Sequence, residues 1–269
     1  MSAHKAKKMF GQNFLVDAQI IADIVRAICP KAGDNMVEIG PGLGALTRPL
    51  LKYLDTLHVV EIDRDIIARL KTDYPQDKIV IHEGDALKFD LCELASPLRI
   101  VGNLPYNISS PLLFHFAAFA NRIIDMHFML QNEVVERMVA APSTPEYGRL
   151  SVMLQYRFHM EKLMDVPPQS FRPAPKVDSA IVRMIPIPAD VITVGDETLF
   201  AKVVATAFGQ RRKTLRNTLK AHLSESEFQQ LGIDSRLRAE NLSVAEFTRI
   251  TNYLSGRAQP EFRLESHPI

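Results

Sequence analysis

Short apolar runs alternate with amphipathic stretches along the first part of the chain. Residues 36–39, 57–62, 79–82 and 98–101 are apolar runs of strand length, and each is followed or closed by glycine, asparagine or acidic residues. Between the first two lies LTRPLLKYL, and between the next two DIIARLKTDY, both with helical spacing of apolar residues. Near-continuous apolar strands separated by helices predict a mostly parallel sheet covered on both faces. Further on, SSPLLFHFAAF reads as a helix with Pro111 in its first turn. Residues 125–131 read as another strand, and residues 162–166 and 179–185 as a closing pair around PPQSFRPAPK. Residues 150–156 are apolar and ambiguous. The segment PIPADVITVGD breaks the pattern, and after it the spacing predicts helices only, over 198–208, 213–222, 225–231 and 244–254. The expectation is an α/β domain over residues 1–187 and a small all-helical domain over 188–269, with a loose tail from residue 255.

In open α/β sheets, ligands bind beyond the carboxyl ends of the strands. That rule puts Gly40, Glu61, Asp85 and Asn103 along one rim. The segment Glu38-Ile-Gly-Pro-Gly-Leu-Gly44 allows a tight turn and a close ligand approach at Gly40 and Gly42. Its third glycine comes one residue earlier than in the dinucleotide fingerprint, and Glu38 would repel a pyrophosphate. A ligand without phosphate and with positive charge fits better. Glu61 is placed to accept from ribose hydroxyls and Asp85 from an adenine amino group. Ribose, adenine and a cation together describe S-adenosylmethionine. The plain alternative is a turn with two solvated carboxylates.

Asn103-Leu104-Pro105-Tyr106 follows the fourth strand. An adenine amino nitrogen is a poor nucleophile because its lone pair is delocalised. Two acceptors on its hydrogens, the Asn103 side-chain oxygen and the Leu104 carbonyl, favour the tetrahedral geometry that localises the pair. Pro105 donates no hydrogen bond and holds Leu104 extended. Tyr106 offers a ring face to a flipped base. Phe171, in a proline-stiffened loop, reads equally as a second stacking ring or as a core-capping phenylalanine.

Composition narrows the class only modestly. The chain has 269 residues, 46% hydrophobic and 23% charged, with a net charge of +1. That suits a globular protein with a sizeable core, and no apolar run approaches the roughly 20 residues of a membrane span. Cys29 and Cys92 lack metal-ligand neighbours and read as free, half-buried thiols of a cytoplasmic protein, with no metal expected. Charge distribution says more than its sum. Arg211, Arg212, Lys213, Arg216 and Lys220 crowd together without an acid among them, and Lys5, Lys7 and Lys8 form a second patch. Such patches predict contact with RNA phosphates, the alternative being a solvated face.

Taken together, KKMFGQNFLVD (7–17), VEIGPGLGALT (37–47), VVEID (59–63), EGDAL (83–87), VGNLPYNISSPLLF (101–114), FRPAPKVDSAIV (171–182) and FGQRRKTLRN (208–217) resemble the ribosomal RNA adenine N6,N6-dimethyltransferase family, in particular its bacterial small-subunit branch. The resemblance implies a class I S-adenosylmethionine-dependent methyltransferase fold with a helical C-terminal domain. It implies dimethylation of two adjacent adenosines in small-subunit rRNA, within the subunit or its precursor; the sequence does not give the oligomeric state, and a monomer is the default expectation. It places Gln12, Asn13 and Leu15 near the methionine moiety of the cofactor and Gly40, Glu61, Asp85 and Asn103 on the rest of it. Asn103 and Tyr106 match the catalytic segment and Phe171 the stacking loop. Large-subunit relatives usually carry isoleucine where Leu104 stands. The competing expectations are a large-subunit rRNA dimethyltransferase, a DNA adenine methyltransferase and a non-enzymatic RNA-binding assembly factor.

Overall fold

The computed structural model describes residues 13–256. In chain order its elements are β1 (Phe14–Leu15), α1 (Ala18–Ile28), β2 (Met36–Ile39), α2 (Thr47–Leu50), β3 (Leu57–Glu61), α3 (Arg64–Asp73), β4 (Ile79–Glu83), β5 (Leu98–Asn103), α4 (Ser109–Ala117), β6 (Ile123–Gln131) and α5 (Asn132–Val139). Then come α6 (Arg149–Gln155), β7 (Phe158–Val166), β8 (Phe171–Arg172), β9 (Ser179–Pro186), α7 (Glu197–Phe208), α8 (Leu215–Thr218), α9 (Glu225–Gln230) and α10 (Val244–Ser255). The chain forms two compact units. Among the described residues, one comprises 13–139 and Arg157–Pro188, and the other Ala140–Tyr156 and 189–256.

The first unit is built on a seven-stranded sheet in the order β4-β3-β2-β5-β6-β9-β7. The strands from β4 to β6 are parallel, and β9 runs antiparallel to both β6 and β7. All four residues of β2 are buried, as a central strand covered on both faces requires. Strand order reverses between β2 and β5, so a crevice is expected where their carboxyl ends diverge. Two helices start on aspartate caps. Asp17 accepts from the amides of Gln19 and Ile20 at 3.0 and 3.2 Å, and Asp63 accepts from that of Asp65 at 3.0 Å. A second, two-stranded sheet pairs β1 with β8, and Ser170 Oγ ties to the cap of α1 by donating to Asp17 at 3.1 Å.

The second unit has its own core, in which Phe200, Val203, Leu215, Phe247 and Ile250 are fully buried. Ala140–Tyr156, expected from sequence to belong with the sheet, clusters here instead. Val152 joins this core, and Tyr147 Oη donates to the Leu242 carbonyl at 2.8 Å. The expected helix over 213–222 shrinks to α8, a single turn. Cys29 and Cys92 are exposed rather than half-buried. No helix among the described residues is long and apolar enough to cross a membrane.

Candidate functional site

After β2 the backbone turns through Gly40, Gly42 and Gly44, at φ of +64°, +52° and +81°. These are left-handed conformations that other residues rarely adopt. A Cβ at Gly44 would overlap the Tyr74 hydroxyl, and one at Gly42 would lie 3.2 Å from the Phe14 ring. A Cβ at Gly40 would meet nothing within 4 Å. Gly40 therefore leaves a gap that a side chain would fill, at the wall of a cavity of about 280 Å³.

That cavity gathers the rim read from the sequence. Gly40 and Gly42 line it after β2, Glu61 at the end of β3, Asp85 after β4, and Asn103, Leu104 and Tyr106 at and after β5. Asn13 and Leu15 line it from β1 and its approach. Gln12 lies outside the described residues. Phe14, Ile62, Asn107 and Met129 also line the cavity and were not singled out by sequence reasoning. Three carboxyl residues, Glu38, Glu61 and Asp85, face it, and no Lys, Arg or His does so among the described residues.

Two of these acids are expensive to ionise where they sit. Glu38 is 2% exposed, and burial pushes its carboxyl up to about 7, with the nearby Glu61 adding to the shift. Thr47 Oγ1 donates to Glu38 Oε2 at 2.7 Å, a partner missed from sequence, and pulls the other way. Glu61 is raised too, again by burial, although its Oε1 accepts from the amides of Ile62 and Asp63 at 2.9 and 2.8 Å. An acidic, half-desolvated chamber of this kind favours a cation and disfavours phosphate.

The segment Asn103–Tyr106 is held by several hydrogen bonds, among them those from the Ile108 amide to the Pro105 carbonyl at 3.1 Å and from Ser109 Oγ to the Tyr106 carbonyl at 3.1 Å. The Leu104 amide donates to the Met129 carbonyl at 3.2 Å. Asn103 Nδ2 donates to the carbonyl of Asn13, the residue before β1, at 3.0 Å, which fixes which end of the amide faces the cavity. Tyr106 Oη lies 2.6 Å from Ser179 Oγ, at the start of β9. With its nitrogen committed, Asn103 presents Oδ1 as an acceptor. No hydrogen bond among the described residues takes the Leu104 carbonyl. Asn103 and Leu104, which both line the cavity, thus each keep an acceptor that no hydrogen bond among the described residues takes.

Phe171 requires correction. It is 0% exposed, and its pairing with Leu15 across β8 and β1 turns it into the core beside Val166 and Ile181. Its ring presents no face to a base, and the core-capping alternative describes it. In the second unit, Arg211, Arg212, Lys213, Arg216 and Lys220 are all exposed, and none is in an ion pair among the described residues. They occupy the turn after α7, α8 and the turn that follows, rather than one continuous helix.

Comparison with known proteins agrees with this geometry. A ribosomal RNA small subunit methyltransferase A from Aromatoleum aromaticum is 63% identical over 258 residues, covering 96% of this chain and 97% of that one. A protein of the same name from Thiobacillus denitrificans is 63% identical over 254 residues, covering 94% of this chain and all of its own. Among solved structures, a dimethyladenosine transferase from Plasmodium falciparum superposes with a TM-score of 0.75 at 25% identity, over 90% of this chain and 98% of that one. The 23S rRNA methyltransferase ErmE shares the fold, with a TM-score of 0.72 at 23% identity over 90% of this chain and 100% of its own. The family model for ribosomal RNA adenine dimethylase matches residues 3–256, and the chain belongs to that family.

Proposed function

We propose that this protein is an S-adenosylmethionine-dependent enzyme that dimethylates N6 of two adjacent adenosines in small-subunit ribosomal RNA. The observation that carries the chemistry is that Asn103, whose Oδ1 is an acceptor, and Leu104, whose carbonyl is another, line an acidic cavity with no basic lining residue among the described residues. The relatives that share about 60% of the sequence over nearly its whole length support the substrate.

The cavity suits the cofactor. Gly40 and Gly42 let it approach the backbone, Glu61 and Asp85 offer acceptors to ribose and adenine, and Glu38 favours its positive charge. S-adenosylmethionine, when bound, supplies a methyl group on a cationic sulfur, which needs no acid to activate it. In the first transfer Asn103 Oδ1 and the Leu104 carbonyl would each accept one N–H of the adenine amino group. In the second the methylamino group would keep one N–H for one of them, and the nitrogen would lose one proton to solvent each time. Tyr106 stacks on the base and the glycine loop fixes the opposite reactant, so catalysis is mainly positioning. We further propose that the substrate is presented on the small subunit or its precursor, that the enzyme acts as a cytoplasmic monomer, and that the exposed cations of the second unit hold RNA phosphates.

The test is methyl transfer to unmodified small subunits read by nucleoside mass spectrometry, beside large subunits, naked rRNA and DNA. Dimethyladenosine on small subunits supports the reading. Product only on large-subunit RNA or DNA overturns the substrate. Tight subunit binding with no product points to a non-enzymatic assembly factor.

Glu38 predicts a pH dependence of cofactor binding. Its folded value near 7 lies above its ordinary 4.5, so the ligand-free folded state keeps a proton that the unfolded chain loses between those values. Its contribution to stability therefore falls as pH rises through that window. A bound cation needs the ionised form, so calorimetry should show roughly tenfold tighter S-adenosylmethionine binding at pH 8 than at pH 6. Glu38→Gln should flatten that dependence. A flat profile in the unmodified protein would remove Glu38 from the binding energetics.

The basic cluster predicts the opposite separation. Changing Arg211, Arg212 and Lys213 together to glutamine should weaken subunit RNA binding and lower the salt slope of log K by about 2 to 3. S-adenosylmethionine affinity should not change. Equal loss of both would mean misfolding and sink the assignment.

A further inference from the structure

Ser179 lies far from the catalytic segment in sequence, yet it meets that segment's tyrosine at hydrogen-bond distance. It opens β9, is 0% exposed, and its backbone position is fixed from both sides by pairing with Gln131 of β6 and Val166 of β7. Its Oγ is 2.6 Å from Tyr106 Oη. The phenol is half-buried, and burial raises its pKa, so it stays a neutral hydroxyl that donates or accepts. A side chain clamped between two strands is a rigid anchor, whereas Tyr106 stands in a turn between β5 and α4.

We infer that Ser179 is a positioning residue for methyl transfer: its hydroxyl fixes the Tyr106 ring in the orientation that receives the target base. The inference rests on the proposed function. The other restraints on the segment hold the Leu104 amide, the Asn103 side-chain amide and the carbonyls of Pro105 and Tyr106, the last through Ser109 Oγ, and none reaches the phenol. Without Ser179 the ring regains rotation about its side-chain bonds. The base then has to order the ring as it enters, and that cost falls on the chemical step. Gly40, Glu61 and Asp85, the proposed cofactor contacts, line the cavity, and the hydroxyl pair is not hydrogen-bonded to them.

The experiment is a cycle of Ser179→Ala, Tyr106→Phe and the double variant. It measures single-turnover methylation of unmodified small subunits at saturating S-adenosylmethionine, with cofactor Kd and melting temperature taken on the same samples. Each single variant should slow methylation about five- to tenfold, the range expected for one hydrogen bond. The double variant should be no slower than either single one, because both remove the same link. Cofactor Kd should stay within about twofold of the parent. Multiplicative losses overturn the proposal, because the two hydroxyls then act separately. A slow Tyr106→Phe beside an unaffected Ser179→Ala also overturns it. So does a Ser179→Ala loss that tracks melting temperature and cofactor Kd, which would make Ser179 merely structural; Tyr106→Phe, at the cavity and outside the core, still reports on the link in that case. An inactive parent protein would sink the proposed function itself, an outcome separate from all of these.

Discussion

Asn103→Ala should slow methyl transfer by about a hundred- to thousandfold, the usual effect of removing one well-placed hydrogen-bonding group from a polar transition state. The side chain has two jobs, and its two ends divide them. Nδ2 is used internally on the Asn13 carbonyl, and Oδ1 is the end left for the adenine amino group. Alanine removes both, so S-adenosylmethionine affinity should also fall, but only several-fold, because Glu38, Glu61 and the glycine loop remain. Asn103→Asp separates the jobs. It keeps an acceptor but sets a carboxylate oxygen against the Asn13 carbonyl, and it adds a fourth acid to the cavity lining. It should therefore be as slow as alanine in the chemical step. The check is single-turnover methylation of small subunits with cofactor affinity from calorimetry. A rate for Asn103→Ala within tenfold of the parent would deny the acceptor role and move the burden to the Leu104 carbonyl.

What the sequence revealed and what it concealed divide along a physical line. Parallel strands buried on both faces must be apolar throughout, and a ligand at their ends needs glycine, amide or carboxylate just beyond. Local composition therefore marked 36–39 as a strand and Gly40, Glu61, Asp85 and Asn103 as a rim, and all four line one cavity. Features decided by distant partners were not visible. Phe171 reads as a loop aromatic until Leu15 pairs with it across β1 and β8. Residues 140–156 join the second unit through contacts such as Tyr147 to Leu242, at a separation of 95 residues. The helix expected over 213–222 stops after one turn. The Leu215 and Arg216 amides are taken by the Leu237 and Ser235 carbonyls, and Asn217 bonds back to Thr214, so the helix starts at Leu215 rather than 213. Ser179 and Thr47 carried no local signal, because a serine or threonine beside a strand or helix is ordinary until its partner is known.

Arg99→Ala should be strongly destabilising, at about 3–5 kcal/mol, the cost of leaving buried charges without their partner. Arg99 is the second residue of β5, at the end opposite Asn103, where it pairs with Met36 of β2, and it is 9% exposed. Its guanidinium grips Asp125 with two bonds, Nε to Oδ1 at 2.9 Å and Nη2 to Oδ2 at 2.8 Å. Nη1 reaches Asp34 at 2.7 Å. The same group donates to the carbonyls of Ile28 and Cys29 at 2.6 and 3.2 Å, where α1 ends in a left-handed residue with φ of 51°. One planar cation thus satisfies two carboxylates and two helix-end carbonyls, and these partners hold its pKa above the usual arginine range. Arg99→Lys should recover only part of the loss, because a point charge cannot match the bidentate fork and the carbonyls together. For a unit of this size the alanine variant should melt roughly 6–20 °C lower, by calorimetry or circular dichroism. Because the cluster and the catalytic segment occupy opposite ends of β5, the folded fraction should methylate at nearly the parent rate. A melting temperature within about 2 °C of the parent would show that water or rearranged neighbours replace the guanidinium.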